Sequence, residues 1–295
     1  VIIVLGSINI DLIANAPRLP QPGETIGGTA FSMAAGGKGA NQALAACRAG
    51  RSVMMVGATG RDAFAAPALE LLRDAGVDLS RVRQTEEPTG TAIITVSDDG
   101  ENTIVVVPGA NGALTEADAE AALGKAGTGD ILMLQLEIPA AVVEKALHLA
   151  RGKGVRSLLN VAPLTADAAR LAALADIVIA NETEFALLAG VATFDETALM
   201  TLHAKTGQTL VVTLGAEGVA AASNGAIQRA EGLSIKPVDT VGAGDTFSGY
   251  LAASLDAGIA LPQALRRAAV AGSLACLAAG AQPSIPRAEA VDTAL

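Results

Sequence analysis

The feature that most constrains this chain is a rhythm. Short, nearly uncharged apolar runs alternate with longer segments of helical periodicity. VIIVLG (1–6), SVMMVGA (52–58), DILMLQL (130–136), VRSLLNV (155–161), ADIVIA (175–180) and TLVVTLG (209–215) read as strands. GANQALAACRAG (39–50), DAFAAPALELLRDAG (62–76) and AAVVEKALHLARG (140–152) read as helices. Two more helices are expected at about 244–257 and 262–279. Strands apolar on both sides must be covered on both faces, and strand–helix alternation gives a parallel sheet. The expected fold is α/β, a three-layer α/β/α sandwich around a mostly parallel sheet.

Two stretches break the rhythm. Residues 11–34 carry three prolines and then a strand-like run, and 89–107 read as two alternating strands around the turn DDGEN. Strands without intervening helices point to a small separate sheet, read as a lid inserted into a single domain spanning 1–295. At about 150 residues per domain, 295 residues allow one large domain with an appendage.

Charge and rare residues exclude several classes. A net charge of −10 repels polyanions, so nucleic acid is not an expected partner. Cys47 and Cys276 form no disulfide framework or zinc spacing, and His148 and His203 sit in no metal-ligand pattern. Without Trp and with few aromatics, base-stacking platforms are not supported. The apolar start lacks a basic flank and cleavage site, and no run approaches the roughly 18 apolar residues of a membrane span. A cytoplasmic protein is expected.

No Walker A loop, dinucleotide-binding fingerprint, zinc-protease motif or nucleophile elbow occurs. The chemistry-bearing stretches are less regular. DTVGAGDTFSGY (239–250) sets Gly242, Ala243 and Gly244 against Asp245 at a helix start. Glycine freedom and the helix dipole suit an anion, and Asp245 is then placed to take a proton from a hydroxyl attacking phosphorus. A plain helix cap explains the same residues. NETE (181–184) makes a capping box of Asn181 and Glu184, or orders Mg²⁺ through its waters. GSINID (6–11) places Asn9 and Asp11 on one side of an extended chain. GGKGANQ (36–42) brings Gly37, Lys38, Gly39 and Asn41 to a helix start, QLE (135–137) ends a strand at Glu137, and TLGAEG (213–218) makes a small-residue turn. All occupy the carboxyl ends of expected strands, where doubly wound sheets bind ligands.

These stretches, with GAQPSIP (280–286), resemble the ribokinases within the wider PfkB-type sugar kinases, from Val1 to Pro286. The resemblance implies transfer of the ATP γ-phosphoryl to the 5-hydroxyl of D-ribose and a lid that pairs two subunits into a homodimer. It implies Asp245 as base and the 242–244 amides as anion hole. Asn9, Asp11, Gly37, Lys38, Gly39, Asn41, Glu137 and Asp245 would hold the sugar. Asn181, Thr213, Gly215, Gly218, Gly244 and Ala269 would line the nucleotide, and Glu184 would meet Mg²⁺ through water. A monovalent cation, usually K⁺, would sit among Asp239, Val241, Ala275, Ala278, Gly280 and Ser284. Many relatives carry Asn or His where Ala269 falls. The alternatives are a kinase for fructose, 2-keto-3-deoxygluconate, deoxyribose or a nucleoside, and a non-catalytic sugar- or nucleotide-binding protein.

Overall fold

A computed structural model describes residues 1–295. In chain order the elements are β1 (Ile2–Leu5), β2 (Asn9–Ala16), β3 (Ala30–Gly36), α1 (Lys38–Arg48), β4 (Val53–Thr59), α2 (Ala65–Ala75), β5 (Asp78–Gln84), β6 (Gly90–Ser97) and β7 (Asn102–Val107). There follow α3 (Glu116–Leu123), β8 (Ile131–Leu134), α4 (Ala140–Lys153), β9 (Arg156–Asn160), α5 (Ala168–Ala172), β10 (Ile177–Asn181), α6 (Glu182–Ala189), α7 (Glu196–Thr206) and β11 (Thr209–Thr213). The chain ends with β12 (Val219–Ser223), β13 (Ala226–Ala230), α8 (Ala243–Asp256), α9 (Leu261–Ala275), α10 (Ala281–Ser284) and α11 (Ala288–Ala294).

Nine strands form the main sheet in the order β13-β12-β11-β10-β9-β8-β1-β4-β5. Only β12 runs against the others. Successive residues of β1 show why its sequence does not alternate. Ile2 and Val4 enter one core of 37 buried residues, and Ile3 and Leu5 enter another of 34. Two cores of nearly equal size mean that both faces are sealed, so apolar side chains are favoured at every position. Helices α1, α2, α8 and α9 cover one face, and α3 to α7 the other. The α/β sandwich is as expected.

The four remaining strands form a separate sheet, β3-β2-β6-β7. Its boundaries differ from the expected ones. β2 starts at Asn9, before the expected 11, and β3 runs to Gly36, past the expected 34, so Asn9 joins Asp11 on a strand of the small sheet. The helix expected at 262–279 stops at Ala275, and α10 follows as a separate short turn. The edge strand β5 and the hairpin β12–β13 had no counterpart in the sequence reading. No helix is long and apolar enough to cross a membrane.

Candidate active site

Strand order reverses between β1 and β8: from β1 the chain builds outward to β4 and β5, and from β8 outward to β11. Diverging connections leave a crevice at the carboxyl ends of such strands. A cavity of about 230 Å³ lies there. One wall carries Lys38, Asn160, Asn181, Glu184 and Thr213, and the other Thr240, Gly242, Gly244 and Asp245. A second cavity of similar size, under α5 to α7, is lined mainly by Ala, Val, Leu and Phe and offers little chemistry.

Gly242 caps α8 in the left-handed conformation, φ +77°, and an added Cβ would lie 2.9 Å from the Ala281 backbone. Glycine is required on both counts. The N–H groups of Gly242, Gly244 and Asp245 have no acceptor in the protein, and they open onto the cavity wall with the positive end of the helix dipole. Of the three amides expected to form an anion hole, that of Ala243 is already engaged, donating to the Thr240 carbonyl at 3.3 Å. The Asp245 amide beside it is free.

Asp245 is 7% exposed. Its Oδ2 accepts from Asn41 Nδ2 at 2.9 Å and its Oδ1 from Gln42 Nε2 at 3.0 Å. The same Gln42 nitrogen donates to Asn160 Oδ1 at 3.1 Å, and Gln135 Nε2 donates to Gln42 Oε1 at 2.6 Å.

The glycine turn before α1 is built against β1. Glu137 Oε2 accepts from Ser7 Oγ at 2.5 Å and from the Lys38 amide at 3.0 Å, and Ser7 Oγ accepts from the Gly39 amide. A side chain at Gly37 or Gly39 would strike the backbone of residues 6–9. Glu137 therefore fixes the start of α1 whatever else it does. The Lys38 ammonium is held above its ordinary pKa, chiefly by Asp245, with Glu137 and Glu184 adding to it against desolvation.

The Asp11 carboxylate makes no hydrogen bond in the protein. It lies over Gly36, where a Cβ would meet it at 2.5 Å. Burial, then Glu137 and Asp245, pushes its pKa up to about 6. Asn9 is oriented by Asn111, whose Nδ2 donates to Asn9 Oδ1 at 2.7 Å and whose Oδ1 accepts from the Ile8 amide at 2.9 Å.

The capping box expected at NETE is present: Asn181 Oδ1 accepts from the Glu184 amide and Glu184 Oε2 from the Asn181 amide, both at 2.8 Å. The box leaves Glu184 Oε1 and Asn181 Nδ2 uncommitted, and burial raises the Glu184 pKa. After β11, Gly215 and Gly218 take positive φ of +55° and +89° around a 3-10 turn. Gly215, Gly218 and Ala269 are not among the residues lining this cavity. Ala269 packs into the core on α9, and its carbonyl accepts from Ser273 Oγ.

The expected cation ligands are gathered by cross-links. Asp239 Oδ2 accepts from the Gly280 amide at 2.8 Å, its Oδ1 accepts from the Val241 amide, and the Val238 and Asp239 amides donate to the Cys276 carbonyl. Ser284 Oγ donates to the Ala281 carbonyl. Ala275 and Ala278 lie on the same turn. Both Asp239 carboxylate oxygens being used, that residue has its carbonyl to offer. Carbonyl donors of this kind suit an alkali cation.

Gln42, Gln135, Asn160, Asn111 and Ser7 take part in these networks and were not picked out in the sequence. Ser7, Gln42 and Gln135 lie inside the quoted motifs, and Asn160 ends a strand on the same rim, so the rule that found Asn181 also reaches it. Asn111 carried no such signal.

Three comparisons bear on this geometry. The model of the pfkB family carbohydrate kinases matches residues 1–288. A ribokinase of Haemophilus influenzae is 36% identical over 288 residues, covering 96% of this chain and 94% of its own, and one of Mus musculus is 37% identical, covering 97% and 91%. A ribokinase of Arabidopsis thaliana, solved with ribose and ATP, superposes with a TM-score of 0.88 at 34% identity, covering 99% of this chain and 97% of that one.

Proposed function

Because this chain belongs to the pfkB family of carbohydrate kinases, we propose that it transfers the γ-phosphoryl group of ATP to the 5-hydroxyl of D-ribose, giving D-ribose 5-phosphate and ADP. The carrying observation is the pairing of a buried carboxylate, Asp245, with free amides at the start of the same helix. Base and anion cradle share one rigid element.

The small sheet acts as the lid, placing Asn9 and Asp11 over the acceptor while Asn41, Lys38 and Glu137 hold it from the turn side. A carboxylate is a far weaker base than an alkoxide, so Asp245 takes the hydroxyl proton late, as the phosphorus–oxygen bond forms. The amides of Gly242, Gly244 and Asp245, with the Lys38 ammonium, stabilise charge spreading over the transferred group. Closing the lid excludes competing water. Asn181, Thr213, Gly215 and Gly218 line the nucleotide. Bound with ATP, Mg²⁺ would supply neutralisation of phosphate charge, and Glu184, whose Oε1 is left free by the capping box, would meet it through water. The carbonyls of the Asp239 and Ala278 segments would hold K⁺ or another monovalent cation, which would stiffen the loop before Asp245. Cytoplasmic action is part of this reading, because ATP is supplied there.

An acceptor panel with coupled ADP detection, run with and without K⁺, tests the reading. The highest kcat/KM is expected with ribose. Preference for fructose, 2-keto-3-deoxygluconate, deoxyribose or a nucleoside overturns the acceptor, and binding without turnover on any of them overturns the enzyme.

Sugar and proton compete for Asp11. Its pKa of about 6 in the free protein means that acidification protonates the group that ribose hydroxyls would donate to. KM for ribose is expected to rise toward tenfold per pH unit below about 6, and KM for ATP much less. The same raised pKa makes the ionised Asp11 a burden on the empty protein: stability falls as pH rises from about 4 to about 6 and stays lower above it. An Asp11→Asn variant that melts higher than the parent at pH 7.5 yet loses ribose affinity fits. One that melts lower does not.

The lid also carries the dimer. The strand register puts Phe31, Met33, Ile93, Val105 and Val107 on one face, all exposed, and β7 is an uncovered apolar edge strand. Such a face and edge call for a partner. Light scattering is expected to give the mass of a dimer, and Met33→Glu with Val105→Asp the mass of a monomer. A monomeric parent removes this part of the reading.

A further inference from the structure

The amide side chains behind Asp245 form a chain with a direction. An ionised carboxylate only accepts hydrogen bonds, so Gln42 must turn its nitrogen toward Asp245 Oδ1. That nitrogen also serves Asn160 Oδ1, whose own Nδ2 is used on the Ile179 carbonyl. Gln42 Oε1 then faces the other way and accepts from Gln135 Nε2. Gln135 is fully buried, and its Oε1 is left with no donor, pressed against the bare backbone of Gly6. Turning the Gln135 amide over would bring two carbonyl oxygens together at 2.6 Å. An orphaned buried acceptor is unfavourable. Its position at the far end of a run of donors that all point to Asp245 gives it a physical reason.

We infer that Gln42, backed by Gln135, is a positioning residue for phosphoryl transfer, holding the Asp245 carboxylate in the rotamer that faces the acceptor hydroxyl. The inference rests on the reading of Asp245 as the base. The chain spans the crevice: Gln135 follows β8, Asn160 ends β9, Gln42 sits on α1 and Asp245 on α8. Each donor in it polarises the next, and the last bond is made to a charge. Asn41 holds the other oxygen, but Asn41 faces the proposed sugar and its Oδ1 has no partner in the protein. Gln42 does not line the cavity itself and reaches it through the two side chains it holds, Asp245 and Asn160.

Two substitutions separate positioning from bulk packing. Gln42→Met keeps the length and removes both polar functions. Its kcat is expected to fall about tenfold or more, the loss of one charge-assisted hydrogen bond in the transition state, with KM for ribose and for ATP nearly unchanged. Gln42→Glu sets a second carboxyl against Asp245. While the pair shares one proton, the introduced acid can still donate to Oδ1. Once that proton leaves, two carboxylates face each other at contact. A new alkaline limb in kcat is therefore expected, absent from the parent. The other charges facing this pair are Lys38 on α1, Asp11 on β2, Glu137 after β8 and Glu184 on α6. They are common to parent and variant, so a limb seen only in the variant belongs to position 42.

A Gln42→Met enzyme with kcat within about twofold of the parent, or a Gln42→Glu profile parallel to the parent's, overturns the inference; the tenfold expectation is the yardstick. If neither variant shows a cooperative thermal transition, Gln135→Leu takes their place: a lower kcat at unchanged KM supports the chain, and parent kcat overturns it. Asp245→Asn is run alongside. Near-parent turnover there sinks the base itself. A dead Asp245→Asn beside parent-like Gln42 variants sinks only the positioning role.

Discussion

Asp245→Asn lowers kcat with ribose by about two to four orders of magnitude, the range for removing a positioned general base, while KM for ribose and ATP and the melting temperature stay close to the parent's. The stability expectation follows from opposing terms. The carboxylate accepts from two amide groups, Asn41 Nδ2 and Gln42 Nε2. An asparagine has one oxygen, so one of these bonds becomes a donor facing a donor, at a cost of about 1–3 kcal/mol. Against this, the substitution removes a buried charge that shares its surroundings with Asp11, Glu137 and Glu184, while also taking away the main partner of the Lys38 ammonium. A side effect makes the assignment more specific. Asp245 is one of the charges raising the Asp11 pKa, so in the variant the acid loss of ribose binding shifts below pH 6. Calorimetric titration with ribose across pH reads that shift without any turnover. Turnover within tenfold of the parent would remove Asp245 from the role of base.

The sequence carried the inner strands because both their faces are buried. β1 feeds two cores with alternate residues, so its run is apolar throughout and stands out. The strands that escaped notice have the opposite surroundings. β5, DLSRVRQ, pairs only with β4 and is largely solvent-facing, so its composition is that of a surface. The hairpin β12–β13 did carry a turn signal: Asn224 and Gly225 both take positive φ, at 51° and 74°, as a tight hairpin requires. The alanines of VAAAS, weak strand formers, hid it. The site divides in the same way. Strand ends mark the rim of the crevice, so Asn181, Thr213 and Glu137 could be located from their positions. Partnerships could not. Gln42 and Asp245 are 203 residues apart, and no spacing tells that one amide faces the other's carboxylate. Nor does it show that Asn111 orients Asn9, because that contact exists only once the small sheet is folded back onto β1.

Gly244→Ala abolishes most activity without loss of stability, and the two halves of that expectation have separate causes. Gly244 lies inside α8 with helical backbone, and nothing stands within 4 Å of the place where its Cβ would be. In a purely structural role glycine is the wrong residue there: alanine is better in a helix by about 1 kcal/mol and here meets no clash. The melting temperature is therefore expected to hold or rise. Gly242, two residues earlier, is different. Its positive φ and the backbone of Ala281 require glycine for folding itself, so Gly242→Ala would confound fold and function. The open space at Gly244 belongs to the cavity. Cβ bonds tilt toward the N-terminus of a helix, so a methyl at 244 stands in front of the free amides of Gly242 and Asp245. A transferred phosphoryl group displaced by about 1 Å loses alignment with the attacking hydroxyl, worth about a hundredfold in rate. The expected variant melts no lower than the parent, binds ribose normally and has kcat/KM for ATP down by about that factor. Full activity in a stable Gly244→Ala protein would mean that no phosphoryl group approaches this helix end, and the α8 cradle would then be a helix cap and nothing more.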